Sequence, residues 1–276
     1  MPILQTSPHL QKLASAFETL SRRYDAGGLL ELHAHDRAQL LFATHGLMEV
    51  TTPTGRWLVP PQRAVWLPAC VPHSILMLTE IEMRTLYIES KWIQPHFQAP
   101  NLQHEFVVCV GPLLRGLVLT LFNGEAHPER VELAAKLVLF ELVETPDRTT
   151  FIPMPSDVRA RRIAELAIKD PRGLRSIDDL AHEAGVSQRT ATRLFSVETQ
   201  LTFKKWRQRA RMMAAINALS REGARIKQVA AQLGYSSTAS FTASFHEIMG
   251  VTPGHFLEQL GSPEKALLLP AKTQPQ

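Results

Sequence analysis

Between residues 176 and 248 the chain sets out one helix–glycine–helix pattern twice, and few folds accommodate such a repeat. In SIDDLAHEAGVSQRTATRLF (176–195), Ser176 and Asp179 have capping-box spacing, and Leu180, Ala181 and Ala184 form an apolar stripe. Gly185 suits the positive φ that ends the first helix. Ser187 then caps a second helix, where Ala191, Leu194 and Phe195 share one face and Gln188, Arg189, Thr192 and Arg193 fall on the other. The arrangement returns about 50 residues later. There Ile226, Val229, Ala230 and Leu233 form the first helix, Gly234 the turn, and Phe241, Phe245 and Ile248 the inward anchors of the next. Its outward face is Thr238, Ala239, Thr242, Ala243 and His246.

Two helices locked by a short turn, the second carrying a polar face, form a helix-turn-helix that projects this face into a major groove. Residues 202–220 between the units are rich in helix formers and suit a rigid spacer, which predicts entry into successive groove segments on one side of DNA. Charge agrees: residues 1–156 carry 12 Lys/Arg against 15 Asp/Glu, net −3, and residues 157–276 carry 18 against 11, net +7. A cationic excess confined to one region points to a polyanionic partner there. Lys204, Lys205, Arg207, Arg209 and Arg211 on the spacer fit either phosphate contact or a solvated face.

On these motifs residues 157–260 resemble the DNA-binding domain of the AraC/XylS family of bacterial transcription regulators. The S-x-R-x-x-x-R-x-F pattern falls on Ser187, Arg189, Arg193 and Phe195. Gly234, Tyr235, Phe241, Phe245, Gly250, Thr252 and Pro253 carry the second unit's pattern. The resemblance implies sequence-specific promoter binding by Ser187, Gln188, Arg189, Thr192, Arg193, Ser237, Thr238, Ser240, Thr242 and His246. The chain departs from the family at Ala243, His246 and Leu257, where basic residues are common.

Upstream, from about Leu30 to Glu89, short apolar runs alternate with turn residues every 8–12 positions, the spacing of a small antiparallel barrel or sandwich. After Pro112 the period becomes helical: Leu113, Leu114, Leu117, Val118, Leu121 and Phe122 form one stripe, and Val131, Ala135, Val138, Phe140 and Leu142 another. These readings divide the chain into a barrel (1–110), a helical connector suited to capping the barrel or pairing two copies (111–143), a proline-containing linker (144–156), the helix-turn-helix domain (157–260) and a loose tail (261–276). Cys70 and Cys109, in neither CxxC nor CxxH spacing, are expected as buried small hydrophobes.

The barrel segment is similar to the cupin superfamily through G-x5-H-x-H-x3-Q-x6-G at Gly27, His33, His35, Gln39 and Gly46, followed by Gly55, Pro61 and His73. In metal-binding cupins this pattern brings two His, a Glu and a later His together inside the barrel; here Gln39 replaces the Glu and Arg63 a glycine. Alternate strand residues point the same way, so His33 and His35 can reach one ion. The resemblance leaves two readings open: a divalent metal at His33, His35 and His73, or hydrogen-bonding histidines lining a small-molecule pocket, with Trp57, Trp66, Phe42 and Tyr87 nearby.

The expected protein is therefore α+β with two domains, a cupin-like antiparallel barrel with flanking helices and an all-α double helix-turn-helix. It reads as a non-enzymatic one-component regulator that senses an effector in the barrel and binds promoter DNA. A metal-dependent cupin dioxygenase or isomerase with a DNA-binding appendage is the alternative. No Walker, GxGxxG or Ser/His/Asp pattern suggests other chemistry. Partners are double-stranded DNA and a small-molecule effector, with a homodimer and contact with RNA polymerase left open. The longest apolar runs fall short of a membrane helix and the N-terminus lacks signal-peptide character, so a cytoplasmic location is expected.

Overall fold

The computed structural model describes residues 16–61, 63–96, 99–122, 127–144, 146–147, 150–221 and 223–261. The predicted tail, beyond residue 261, lies outside them.

Eleven described strands build the N-terminal half: β1 Phe17–Tyr24, β2 Leu29–His33, β3 Arg37–His45, β4 Met48–Thr51, β5 Gly55–Val59, β6 Arg63–Leu67, β7 His73–Met77, β8 Ile81–Glu89, β9 Phe106–Cys109, β10 Pro146–Asp147 and β11 Phe151–Pro153. They form two antiparallel sheets, β1-β8-β3-β6-β9-β10 and β11-β5-β4-β7-β2. The period of two sorts their faces. Leu41, Ala43, Val65, Leu67 and Met83 meet Val50, Trp57, Ile75 and Met77 between the sheets. Leu40, Phe42, Trp66, Leu86 and Ile88 lie on the far side of the six-stranded sheet. Helices α1 (Ser90–His96), α2 (Pro112–Leu121) and α3 (Pro128–Glu144) flank that sheet, and their buried residues join the same cluster. Phe42 and Trp66 thus belong to the helix-facing layer rather than to a lining of the barrel interior.

The connector helices are apolar over more than one stripe. Leu114, Val118 and Leu121 are buried, as are Ala135, Val138 and Leu142, but Leu113 and Phe140 are more than half exposed, together with Leu133. Leu113 precedes Leu114 by one residue, a 100° step that carries it off the buried face. Both cysteines are exposed. Cys70 occupies a left-handed turn between β6 and β7 (φ +63°), where its N–H donates to His35 O at 2.7 Å. Cys109 ends β9 beyond the covered part of the sheet.

The helical half contains α4 (Val158–Ile168), α5 (Ile177–Glu183), α6 (Gln188–Thr199), α7 (Phe203–Leu219), α8 (Ile226–Gln232), α9 (Thr238–Met249) and α10 (Pro253–Gly261). Serine, threonine and aspartate caps start most of them. Ser176 and Asp179 form a full capping box, while Ser187, Thr202 and Ser237 each accept from the backbone N–H three residues on, in the first turn. Gly185 (φ +72°) and Gly234 (φ +77°) make the two turns. Among the described residues no helix is long and apolar enough to cross a membrane.

The segment 144–156 is not a free tether. Proline suggests a linker, yet β10 extends one sheet beside β9, and β11 pairs with β5 at an outer edge, where proline is tolerated. Phe151 stacks on Trp57 with ring centroids 3.8 Å apart. Trp206 of α7 donates its indole N–H to Pro153 O at 2.7 Å, and Glu198 of α6 accepts from the N–H groups of Ser156 and Asp157. Leu58, Ile152 and Met154 therefore share one apolar cluster with the helical half.

Candidate functional site

In the helical half the reading surface is built from the inside outward. Phe195 is fully buried against Phe203 (4.9 Å between centroids) and Trp206 (5.3 Å), which orients α6. With that face committed, Gln188, Arg189, Thr192 and Arg193 are exposed along with the cap Ser187. Neither arginine has a carboxylate partner among the described residues. Thr192 Oγ1 donates to Gln188 O at 2.9 Å, and the Ser187 oxygen accepts from Thr190 N–H, so both hydroxyls are already engaged with their own helix.

The second unit repeats this logic. Phe241 and Phe245 are fully buried in a chain of ring contacts from Tyr235 to Phe256, each between 5.3 and 5.7 Å. Ser237, Thr238, Ala239, Ser240, Ala243 and His246 are exposed, whereas Thr242, expected on the outward side, is half-buried. It follows Phe241 by a single 100° step and so lies on the flank of the anchored face.

The spacer cations divide. Lys204 and Lys205 are exposed. Arg207 instead lies 4.6 Å over the Phe203 ring, and Arg211 lies 5.4 Å over Tyr235 and donates to Arg172 O. The first contact lies within α7, whereas Arg211 ties the spacer to Tyr235 of the second unit and to the Arg172 carbonyl.

In the barrel, sheet register assembles a second constellation. His33 of β2 is paired with His73 of β7, and His35 follows β2 two residues later. Their ligating atoms all lie within 4.8 Å of one another, and no Asp or Glu joins this cluster among the described residues. Each Nδ1 meets a backbone carbonyl: His33 with Glu31 O at 2.7 Å, His35 with Arg37 O at 2.8 Å and His73 with Val71 O at 2.8 Å. A carbonyl only accepts, so each Nδ1 carries a proton, which leaves Nε2 as the atom through which each ring can ligate.

His73 is 1 % exposed, and its Nε2 has no hydrogen-bond partner. Burial above all, with the two neighbouring imidazoles adding, lowers its pKa to about 4 against the help of the Val71 carbonyl, so the ring is neutral at physiological pH. A buried acceptor left bare is costly unless something fills it.

Gln39 is buried with its Oε1 3.1 Å from His35 Nε2 and its Nε2 donating to the Tyr87 hydroxyl at 3.3 Å. In the neutral ring this sets two acceptors face to face. A half-turn of the carboxamide, whose two ends are nearly isosteric, removes the conflict: NH2 then faces His35 and the carbonyl accepts from Tyr87 O–H. Tyr87, whose pKa is raised chiefly by burial, keeps that proton. Its part as the partner of Gln39 follows from β3–β8 pairing (Gln39↔Tyr87), which no local motif announces.

A separate cavity of about 750 Å³ lies on the far side of the same sheet, among Ala38, Trp66, Pro68, Ile93 and Leu102. Ala38 alternates with Gln39, so this space and the histidine cluster lie on opposite sides.

Comparison with known proteins covers both halves. Residues 15–142 match the family described as AraC-like ligand binding domain, and residues 180–259 match the one described as Helix-turn-helix domain. The HTH-type transcriptional regulator NimR of Escherichia coli K12 is 32% identical over 240 residues, 85% of each chain. RipA of Corynebacterium glutamicum, also an HTH-type transcriptional regulator, is 33% identical over 110 residues, 40% of this chain and 33% of its own. Among solved structures, ToxT from Vibrio cholerae is 14% identical with a TM-score of 0.40, over 90% of this chain and 100% of that one.

Proposed function

The chain belongs to the AraC family of helix-turn-helix transcription regulators with an N-terminal ligand-binding domain, and from that premise we propose how it works. Promoter DNA is bound through Ser187, Gln188, Arg189, Thr192 and Arg193 of the first unit and Ser237, Thr238, Ser240, Thr242 and His246 of the second. The effector is sensed at His33, His35, Gln39 and His73. The observation that carries the sensor reading is the convergence of three imidazole acceptors, one of them buried and unsatisfied. Those residues fit a divalent metal, held by the three Nε2 atoms with the Nδ1–H groups anchored on carbonyls. Such an ion would supply a Lewis-acidic anchoring point for an effector.

A ligand acts only through different affinity for two conformers. β11 is the element suited to pass that difference on, since it is hydrogen-bonded to β5 on one side and holds Trp206 on the other. The exposed Leu113, Leu133 and Leu137 of α2 and α3 support a homodimer through the connector helices. RNA polymerase is the remaining partner of this reading. The protein works without catalysis in the bacterial cytosol, on the nucleoid when bound.

His33→Ala combined with His35→Ala tests the assignment. DNA binding by the full chain should persist while the transcriptional response to effector is lost. An unchanged dose response would move the sensor to the 750 Å³ cavity, whose apolar lining favours it as the second reading. Genome-wide mapping of bound sites identifies the operator, and the neighbouring genes point to the effector's chemistry.

A further inference from the structure

We infer that the effector taken at the histidine cluster is a small carboxylate, ligating a metal through one oxygen and accepting a hydrogen bond from Gln39 through the other. The inference rests on the metal reading of the site and names the ligand class that this donor set requires.

The charge balance points to an anion. Imidazole ligands and a carboxamide bring no negative charge to a metal, and among the described residues no Asp or Glu belongs to the cluster. A divalent ion held there keeps its full +2 charge in a partly buried setting, where an uncompensated charge is costly. Three protein nitrogens also leave coordination positions open. An anion satisfies both demands at once, whereas a neutral ligand fills a position and leaves the charge.

Gln39 selects a carboxylate among anions. It lies between His35 Nε2 (3.1 Å) and the Tyr87 hydroxyl (3.3 Å), and with its carboxamide turned so that the carbonyl accepts from Tyr87 O–H, its NH2 faces the cluster beside His35 Nε2. Once that nitrogen is given to the metal, the NH2 needs a new acceptor. The second oxygen of a carboxylate provides one; a monatomic anion or a thiolate does not. A glutamate at this position would serve as the anion itself and repel an incoming one. Arg37, nearby in sequence, is paired with Glu18 and Glu89 and is not a competing anion receptor. Tyr87 acts as a positioning residue, through the carboxamide it orients.

Cobalt(II) is a suitable probe because its visible bands respond to a change of ligand. The full chain should take up one equivalent of Co²⁺. Adding acetate should change the spectrum saturably, and acetamide, the same size but neutral, should not. Gln39→Glu should retain Co²⁺ yet weaken acetate binding by roughly tenfold or more, through repulsion and loss of the amide donor. Tyr87→Phe should weaken it by a few-fold, with Co²⁺ uptake unchanged. Circular dichroism and promoter binding report whether each variant is folded. Failure to take up Co²⁺ overturns the metal reading and the proposal with it. Uptake with equal responses to acetate and acetamide, or acetate affinity unchanged in Gln39→Glu, overturns the proposal alone.

Discussion

The two helix-turn-helix units are built alike and face outward unalike. Each has a glycine turn at positive φ, a serine cap on its reading helix and buried aromatic anchors beneath. Yet α6 presents Arg189 and Arg193, while α9 presents hydroxyls, Ala239, Ala243 and a single His246. The features that make the unit fold lie on the buried face and in the caps; those proposed to choose a DNA sequence lie on the exposed face, which packing constrains least. Arginine reads guanine through two hydrogen bonds, whereas alanine and threonine methyls touch thymine and let the helix backbone come close. The first unit is thus suited to supply charge and direct reading, the second shape and fit.

The sharpest way to break this comparison is through the anchors, where the units should behave identically. Phe195→Ala and Phe245→Ala should each cost about 3–5 kcal/mol of stability, measured by denaturant unfolding; a much smaller loss in one would show that its unit is loosely packed. Next come the exposed faces, where the units should differ. Arg189→Ala or Arg193→Ala should weaken specific promoter binding by roughly 1–3 kcal/mol, and His246→Ala by less, in a gel-shift titration at fixed salt. Equal losses would erase the assigned asymmetry.

The caps provide a smaller and symmetrical effect: Ser187→Ala and Ser237→Ala should each lower the unfolding free energy by about 0.5–2 kcal/mol. Smallest is a change in slope. Ala243→Arg gives α9 the cation it lacks and should steepen the fall of log K with log salt by about 0.9. An unchanged slope would place residue 243 away from the phosphates.

Much of the helical half was legible because its signals are local. A cap, a glycine and a 3.6-residue stripe lie within twenty residues of each other, and the segment 202–220, read from its helix formers, is the one bounded by the caps Thr202 and Ser220 of α7. Thr242 is half-buried rather than fully outward because a single residue separates it from the anchor Phe241. The barrel was less legible. β1 (FETLSRRY) is a mostly exposed edge strand and β11 (FIP) is three residues long, so neither offers a run of side-chain alternation from which a strand could be read. His33 and His35 announced a shared face by their spacing, but His73 reached them only through the β2–β7 register.

By itself the sequence determined the two helix-turn-helix units, their anchors, the cationic bias of the helical half and the presence of a barrel, since each rests on periodicity or composition along a short span. Tertiary structure alone decided which connector leucines stay exposed, that β11 ties the helical half to the barrel, and that three imidazoles bring their ligating atoms within 4.8 Å of one another. Strand register and ring orientation depend on carbonyls and partners dozens of residues away, and no local pattern encodes them.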